Sequence, residues 1–167
     1  MEAEQKLYAD LDSLGIAYTI AEHEAVYTVA ESERLYEVTP GTHVKNLFLK
    51  DAGDRFWLLT VPAQKRVALK GLPAAIGCKK VSFGKPEDMA RLIGVTPGSV
   101  TPLAAINDIG GEVSVVLDVE LATAERINVH PLRNTATLGL PSPDLIRALG
   151  HWHHAPQIAE IPAVEEA

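Results

Sequence analysis

The chain has 167 residues, 47% of them hydrophobic and 22% charged, and a formal net charge of −7; this fits one domain that buries a sizeable core without disulfides or metal to support it. Cys78 is the only cysteine, which excludes an internal disulfide and a cysteine-based zinc site and fits a reducing compartment, the cytoplasm. The charged opening MEAEQKLYADLDSLG is not a secretory signal, and no apolar run approaches the roughly 20 residues a membrane span requires, so no membrane partner is expected.

Leu7, Leu11 and Leu14 recur at i, i+4 and i+7 and predict a helix over Glu2–Leu14, closed by Gly15 as a left-handed cap. A short strand is predicted at Tyr18–Ala21. The capping-box spacing of Thr28 and Glu31 predicts a second helix ending near Tyr36, before the break at Thr39-Pro40-Gly41. The apolar runs Asn46–Lys50 and Arg55–Val61 flank Asp51-Ala52-Gly53-Asp54 and read as a hairpin. A helix near Val67–Ile76 and a strand over Lys79–Phe83 follow, then a helix over Pro86–Ile93 with proline in its first turn and Gly94 just past its end. Val95–Asn107 has no clear periodicity, whereas valine-rich Glu112–Leu117 reads as a strand buried on both faces. Further strands are predicted at Arg126–His130 and Ala136–Leu140, and a last helix over Ser142–Gly150. Residues 1–150 form the expected domain, and 151–167 read as a partly mobile tail. Strands interspersed with short helices predict an α/β or α+β domain with a mixed sheet.

Charge is segregated along the chain. Between His43 and Arg91 ten lysines and arginines face four acids, a balance of +6, while the remainder carries −13. A basic face on an acidic protein can attract a polyanion in one orientation, and Lys45, Lys50, Lys65, Arg66, Lys79 and Lys80 are its candidate contacts; solvated surface lysines are the plain alternative.

Common catalytic signatures are missing. There is no G-x-S-x-G elbow, and Gly71–Lys79 lacks the spacing of a phosphate-binding Walker loop. Cys78 beside Lys79 and Lys80 can be read as a thiolate, but more simply as small packing material. His151, His153 and His154 lack a carboxylate or cysteine at ligand spacing, which favours a solvated or helix-capping group over a metal site. Three segments carry more chemistry: Gly41–Asn46, Thr96–Pro102 and Asn128–Thr135. In the second, Gly98 lets the chain turn between Pro97 and Pro102, so that successive N–H groups can face a carboxyl or ester oxygen. A tight turn is the plain reading of the same residues.

Together, Val44-Lys45-Asn46-Leu47-Phe48-Leu49, Gly98-Ser99-Val100-Thr101-Pro102 and Val129-His130-Pro131-Leu132-Arg133-Asn134-Thr135-Ala136-Thr137 resemble the YbaK-like family, which includes the editing insertion domain of bacterial prolyl-tRNA synthetases. The resemblance spans nearly the whole chain and is greatest to free-standing deacylases that clear alanine from mischarged proline tRNA. It implies a single domain with a mixed, largely antiparallel sheet surrounded by short helices. It also implies that Lys45 engages the terminal phosphates of the tRNA and that the Gly98–Pro102 loop holds the aminoacyl ester.

By the same analogy Asn46 and His130 sit at the pocket, with Lys45, Gly98, Ser99 and His130 expected to be catalytic and Asn46, Val100, Thr101 and Pro102 to bind substrate. His130 taken alone could equally be a packed core residue. No cofactor, metal or nucleotide is implied. The expected partner is the alanine-bearing acceptor end of tRNA(Pro), with prolyl-tRNA synthetase or an elongation factor as transient partners. An aminoacyl ester is labile enough for a positioned water and stabilisation of the carbonyl oxygen to suffice, so a missing triad is no obstacle. Two alternatives stand beside this reading: the same chemistry on another mischarge such as cysteinyl-tRNA(Pro), and a non-catalytic module that holds tRNA or a synthetase.

Overall fold

The structure is a computed structural model and describes residues 2–25 and 40–164. Helix α1 (Glu2–Ser13) buries Leu7 and Leu11 and ends at Gly15, whose φ of 70° supplies the left-handed cap. Strand β1 (Thr19–Glu22) follows; the helix expected from Thr28 to Tyr36 lies outside the described residues. The hairpin is longer than its apolar runs indicate, with β2 over Thr42–Asp51 and β3 over Phe56–Pro62. Asp51 fixes its turn: only 4% exposed, the carboxylate accepts from the amides of Gly53, Arg55 and Lys79 and from Trp57 Nε1 at 2.9–3.1 Å.

The helix expected over Val67–Ile76 narrows to α2 (Leu72–Ile76), preceded by a 3-10 turn at Leu69–Gly71. Pro73 tolerates only a first-turn position, which sets where the α-helix can begin. After β4 (Val81–Phe83), helix α3 spans Pro86–Ile93 as the sequence predicts, with Gly94 at φ 66°. The aperiodic stretch folds as two 3-10 turns, Pro97–Ser99 and Pro102–Asn107. Then come β5 (Val113–Asp118), β6 (Ile127–Val129), β7 (Ala136–Leu140), α4 (Ser142–His151) and β8 (Gln157–Ala159).

All eight described strands form one mixed sheet in the order β1-β7-β6-β2-β3-β5-β8, with β4 also on β2. Four pairings are antiparallel (β1/β7, β6/β7, β2/β3 and β2/β4), and three, β2/β6, β3/β5 and β5/β8, are parallel. The larger core cluster packs α1, α3, α4 and the second 3-10 turn against one face through Leu7, Phe48, Leu58, Leu103, Ile127 and Leu138. The smaller sets Leu72 and Ile76 of α2, with Ile161, against Leu49, Leu59 and Val116 on the other. Residues past Gly150, read from the sequence as a tail, continue this fold: Trp152, His154 and Ile161 are buried and β8 extends the sheet beside β5. Strand β8 attaches through its backbone edge and keeps its side chains largely outside, so it leaves no apolar alternation to read.

Strand β2 organises the site. On the edge away from β3 it pairs with β6 only at Thr42 and His43, and with β4 only from Leu49 to Asp51. Between these pairings no described strand covers it. Thr42 donates its N–H to Arg126 and Phe48 accepts from Gly84 on this same edge; Asn46 shares their parity, so its backbone N–H and C=O face the gap.

Candidate active site

Alternation along β2 sends Lys45 and Asn46 to opposite faces of the sheet. Lys45 lies opposite Val61 of the smaller cluster, and Asn46 lies opposite Thr60. Burial, reinforced by the neighbouring Arg66 guanidinium, pushes the Lys45 ammonium below the usual lysine range. Lys45 and Arg66 thus form a cationic pair beside the gap. Asn46 is held from both ends: its Oδ1 accepts from Thr60 Oγ1 at 2.7 Å and its Nδ2 donates to the Val100 carbonyl at 3.1 Å. Its side chain is therefore the strut that fixes the Gly98–Pro102 loop to β2.

His130 lies across the gap, one residue beyond β6. The β2/β6 register pairs His43 with Asn128, so Lys45 and His130, two residues further along each strand, flank the opening where the strands part. His130 Nδ1 is 3.3 Å from the Ala136 carbonyl. A carbonyl only accepts, so Nδ1 carries the proton and Nε2 keeps its lone pair. Burial drives the pKa down, the Ala136 carbonyl partly offsets this, and nearby His23 adds to it, so the ring is neutral at physiological pH. The loop that follows is clamped: Arg133 donates to Glu4 of α1 at 3.0 Å, to Glu22 of β1 at 2.6 Å and to Thr135 at 2.9 Å. Leu132 packs against the larger cluster with φ at 71°, a left-handed conformation costing a branched residue about 1 kcal/mol.

Gly98 sits in a 3-10 turn and is not among the glycines of positive φ, so the backbone does not demand glycine there. Ser99 is buried and its amide donates to the Thr96 carbonyl at 2.9 Å, so this N–H is engaged within the turn. Val100, Thr101 and Pro102 are buried as well, and Thr101 Oγ1 caps the next turn by accepting from Leu103. They form a wall, anchored through Val100, against the unpaired stretch of β2.

The basic candidates divide. Lys50 and Lys80 line a shallow groove along β4 together with Lys85 and Phe83, the last 63% exposed, and Lys79 lies in the adjoining turn with its stem across Gly53. Lys65 does not join them. Its ammonium donates to Asp118, a fully buried carboxylate, at 2.7 Å and to the Ile161 carbonyl at 2.9 Å, and it pairs with Glu120. Although burial opposes it, these partners raise the Lys65 pKa, so its charge is spent inside the fold rather than offered to a phosphate. Cys78 is buried and its thiol is raised by burial and by Asp51, opposite to what a thiolate needs. His154, expected to belong to a solvated or helix-capping group, is buried between Asp108 Oδ2 at 2.9 Å and the Trp152 carbonyl at 2.7 Å. No group of three or more metal-ligating side chains occurs among the described residues.

Two residues that sequence reasoning missed stand beside His130. Extending the Val129–Leu138 pairing by one step sets Thr137 opposite His130, and Thr137 Oγ1 lies 2.9 Å from His23 Nε2. Only the β1/β7/β6 register brings His23 here from more than a hundred positions away in the chain.

Comparisons with known proteins agree with this architecture. The family described as an aminoacyl-tRNA editing domain matches residues 23–148. The prolyl-tRNA editing protein ProX of Acetoanaerobium sticklandii is 38% identical over 146 residues, covering 87% of this chain and 89% of that protein. Prolyl-tRNA synthetase associated domain-containing protein 1 of Xenopus laevis is 35% identical over 159 residues, covering 92% and 94%. Among solved structures, a candidate trans-editing enzyme for prolyl tRNA synthetase superposes with a TM-score of 0.74 at 17% identity over 98% of this chain and 99% of that one, a likeness of fold. On the family match and these identities, the chain belongs to the aminoacyl-tRNA editing domain family.

Proposed function

We propose that the protein is a trans-acting aminoacyl-tRNA deacylase of prolyl-tRNA editing that hydrolyses the ester of alanyl-tRNA(Pro). The observation that carries this reading is the neutral His130, its Nε2 lone pair directed away from Ala136, facing Lys45 across an unpaired stretch of β2. Lys45 and Arg66 hold the phosphate of the terminal nucleotide. His130 Nε2 accepts a hydrogen bond from the attacking water and orients it toward the ester carbon. The Asn46 N–H, in the plane of the gap, donates to the oxygen that gains charge as the carbonyl becomes tetrahedral. No covalent intermediate is needed, in keeping with a buried Cys78 thiol.

The buried wall from Val100 to Pro102, on the Asn46 face of the sheet, closes the far side of the gap and limits its depth, excluding the proline ring while admitting a methyl side chain. Rejection by size can be large, whereas alanine and glycine differ in an apolar pocket by only about 1–3 kcal/mol. The groove of Lys50, Lys80, Lys85 and Phe83 continues the basic surface along β2 and suits the acceptor end of the tRNA, whose backbone it positions without reading sequence. Prolyl-tRNA synthetase is the natural source of the mischarged tRNA and a transient partner.

The test is single-turnover hydrolysis of alanyl- and prolyl-tRNA(Pro) at matched salt. Alanyl ester is expected to be cleared at least about a hundredfold faster, since steric exclusion has no compensating contact. Equal rates would defeat selective editing, and hydrolysis of neither would favour a binding module.

A further inference from the structure

We infer that Thr137, oriented by His23, is the acceptor that reads the α-ammonium group of the esterified amino acid, a subsite that rests on the deacylase reading above. The hydrogen bonds leave Thr137 little choice of role. His23 Nδ1 is 2.8 Å from the Glu24 carbonyl and Nε2 is 2.9 Å from Thr137 Oγ1. The carbonyl fixes the ring proton on Nδ1, so in the neutral ring Nε2 accepts and the Thr137 hydroxyl must donate to it. With its proton committed, Oγ1 offers only lone pairs to anything else. Thr137 therefore cannot donate to a developing oxyanion; it is complementary to a hydrogen-bond donor, and an ammonium is a donor on every N–H.

Its place on the sheet fits that task. Thr137 is only 8% exposed, so its lone pairs face little competing water and a charge-assisted bond there is stronger than at the surface. Lys45, His130 and Thr137 follow one another across β2, β6 and β7 on one face. The two end residues lie at least two strand spacings apart, roughly 10 Å or more, because β2 and β6 have parted at this level. That is the scale of an aminoacyl nucleotide laid across the strands, with its phosphate at the cationic end, its ammonium at the acceptor end and its ester at His130. The neutral state of His130 tolerates the positive group beside it, as an imidazolium would not.

The discriminating substrate is the same tRNA(Pro) esterified with lactate, which replaces the ammonium by a neutral hydroxyl and keeps the methyl group. Single-turnover rates for alanyl and lactyl esters are each divided by the spontaneous rate of that ester. The native protein is expected to prefer alanyl by about tenfold or more, the scale of one hydrogen bond to a charged group. Thr137→Val should lower the alanyl rate by about that factor and leave the lactyl rate within about twofold, so that the preference collapses. Thr137→Ser should keep it, and His23→Ala, which frees the hydroxyl to rotate, should erode it.

Equal enhancement of the two esters by the native protein overturns the subsite and leaves the deacylase reading standing. The same holds for a Thr137→Val protein that is folded by its melting curve and slower on both esters alike, which assigns Thr137 a purely structural role. Hydrolysis of neither ester by the native protein overturns both readings. Should Thr137→Val not fold, the native ester preference and the His23→Ala and Thr137→Ser pair decide the matter.

Discussion

At the scale of single residues the site depends on protonation states set by the backbone. His130 is usable as an acceptor only while neutral, and burial, with His23 nearby, keeps its pKa below the ordinary histidine value. Deacylation should therefore hold its rate as pH falls through about 6.5, where a free histidine becomes half charged, and decline only on further acidification. Folding has the opposite exposure. The unfolded ring takes up its proton more readily than the folded one, so this residue's contribution to stability is complete above about 6.5 and diminishes below it. His130→Ala should abolish the acid limb of the rate profile and slow hydrolysis by about a hundredfold. A folded variant with an unchanged rate and an unchanged choice among alanyl, glycyl and prolyl esters would remove His130 from the site. Lys45 and His130 stand out as candidates in the sequence through the segments around them. His23 was not, because its significance comes from a hydrogen bond to Thr137, far along the chain.

Among the elements, the β2–β3 hairpin is fixed by chemistry that apolar periodicity does not register. Asp51 reads as a turn residue in the sequence, yet it gathers four N–H donors inside the fold. Burial alone would raise its pKa, but the backbone bonds from Arg55 and Lys79, with Trp57 and Gly53, outweigh it and bring the carboxyl below the ordinary aspartate value. Its stabilisation is present above the unfolded value of 3.8 and is lost as acid takes the pH down through the folded one. Asp51→Asn, which confronts N–H donors with an NH₂ group, should cost about 3 kcal/mol in urea unfolding at neutral pH. The difference from the native protein should shrink at the acid end. Helix α3 shows the reverse situation: proline in the first turn, glycine at the cap and an apolar face within one short segment made it readable to the residue. The loop at Gly98 was legible as a turn but not as to its type. Gly98 lets the chain turn in several ways, and the 3-10 turn that forms uses ordinary φ and engages the Ser99 amide with Thr96.

Across the whole molecule, mixed-sheet architecture was legible from the alternation of strands and helices, but the reach of the fold was not. Removing residues 152–167 should prevent folding or lower the melting temperature steeply. It would strip Trp152 and Ile161 from the two core clusters, break the buried His154–Asp108 contact and leave Lys65 and Asp118 without the Ile161 carbonyl beside them. Each large apolar loss is worth about 3–5 kcal/mol, comparable with the whole stability of many domains. A truncated protein with a native melting transition would show the segment to be dispensable.

The strand order has a kinetic consequence as well. Thr19 meets Gly139 in β1/β7, His43 meets Asn128 in β2/β6, and Leu58 meets Val115 in β3/β5, so apart from the β2/β3 and β6/β7 hairpins the sheet closes long loops before its contacts repay the lost chain entropy. Refolding should accordingly be slow for a chain of this size, in milliseconds to seconds rather than microseconds, with the β2–β3 hairpin available early and the His23–Thr137 contact dependent on one of the longest closures. The deacylase would acquire its secondary structure well before it acquires the means to choose its substrate.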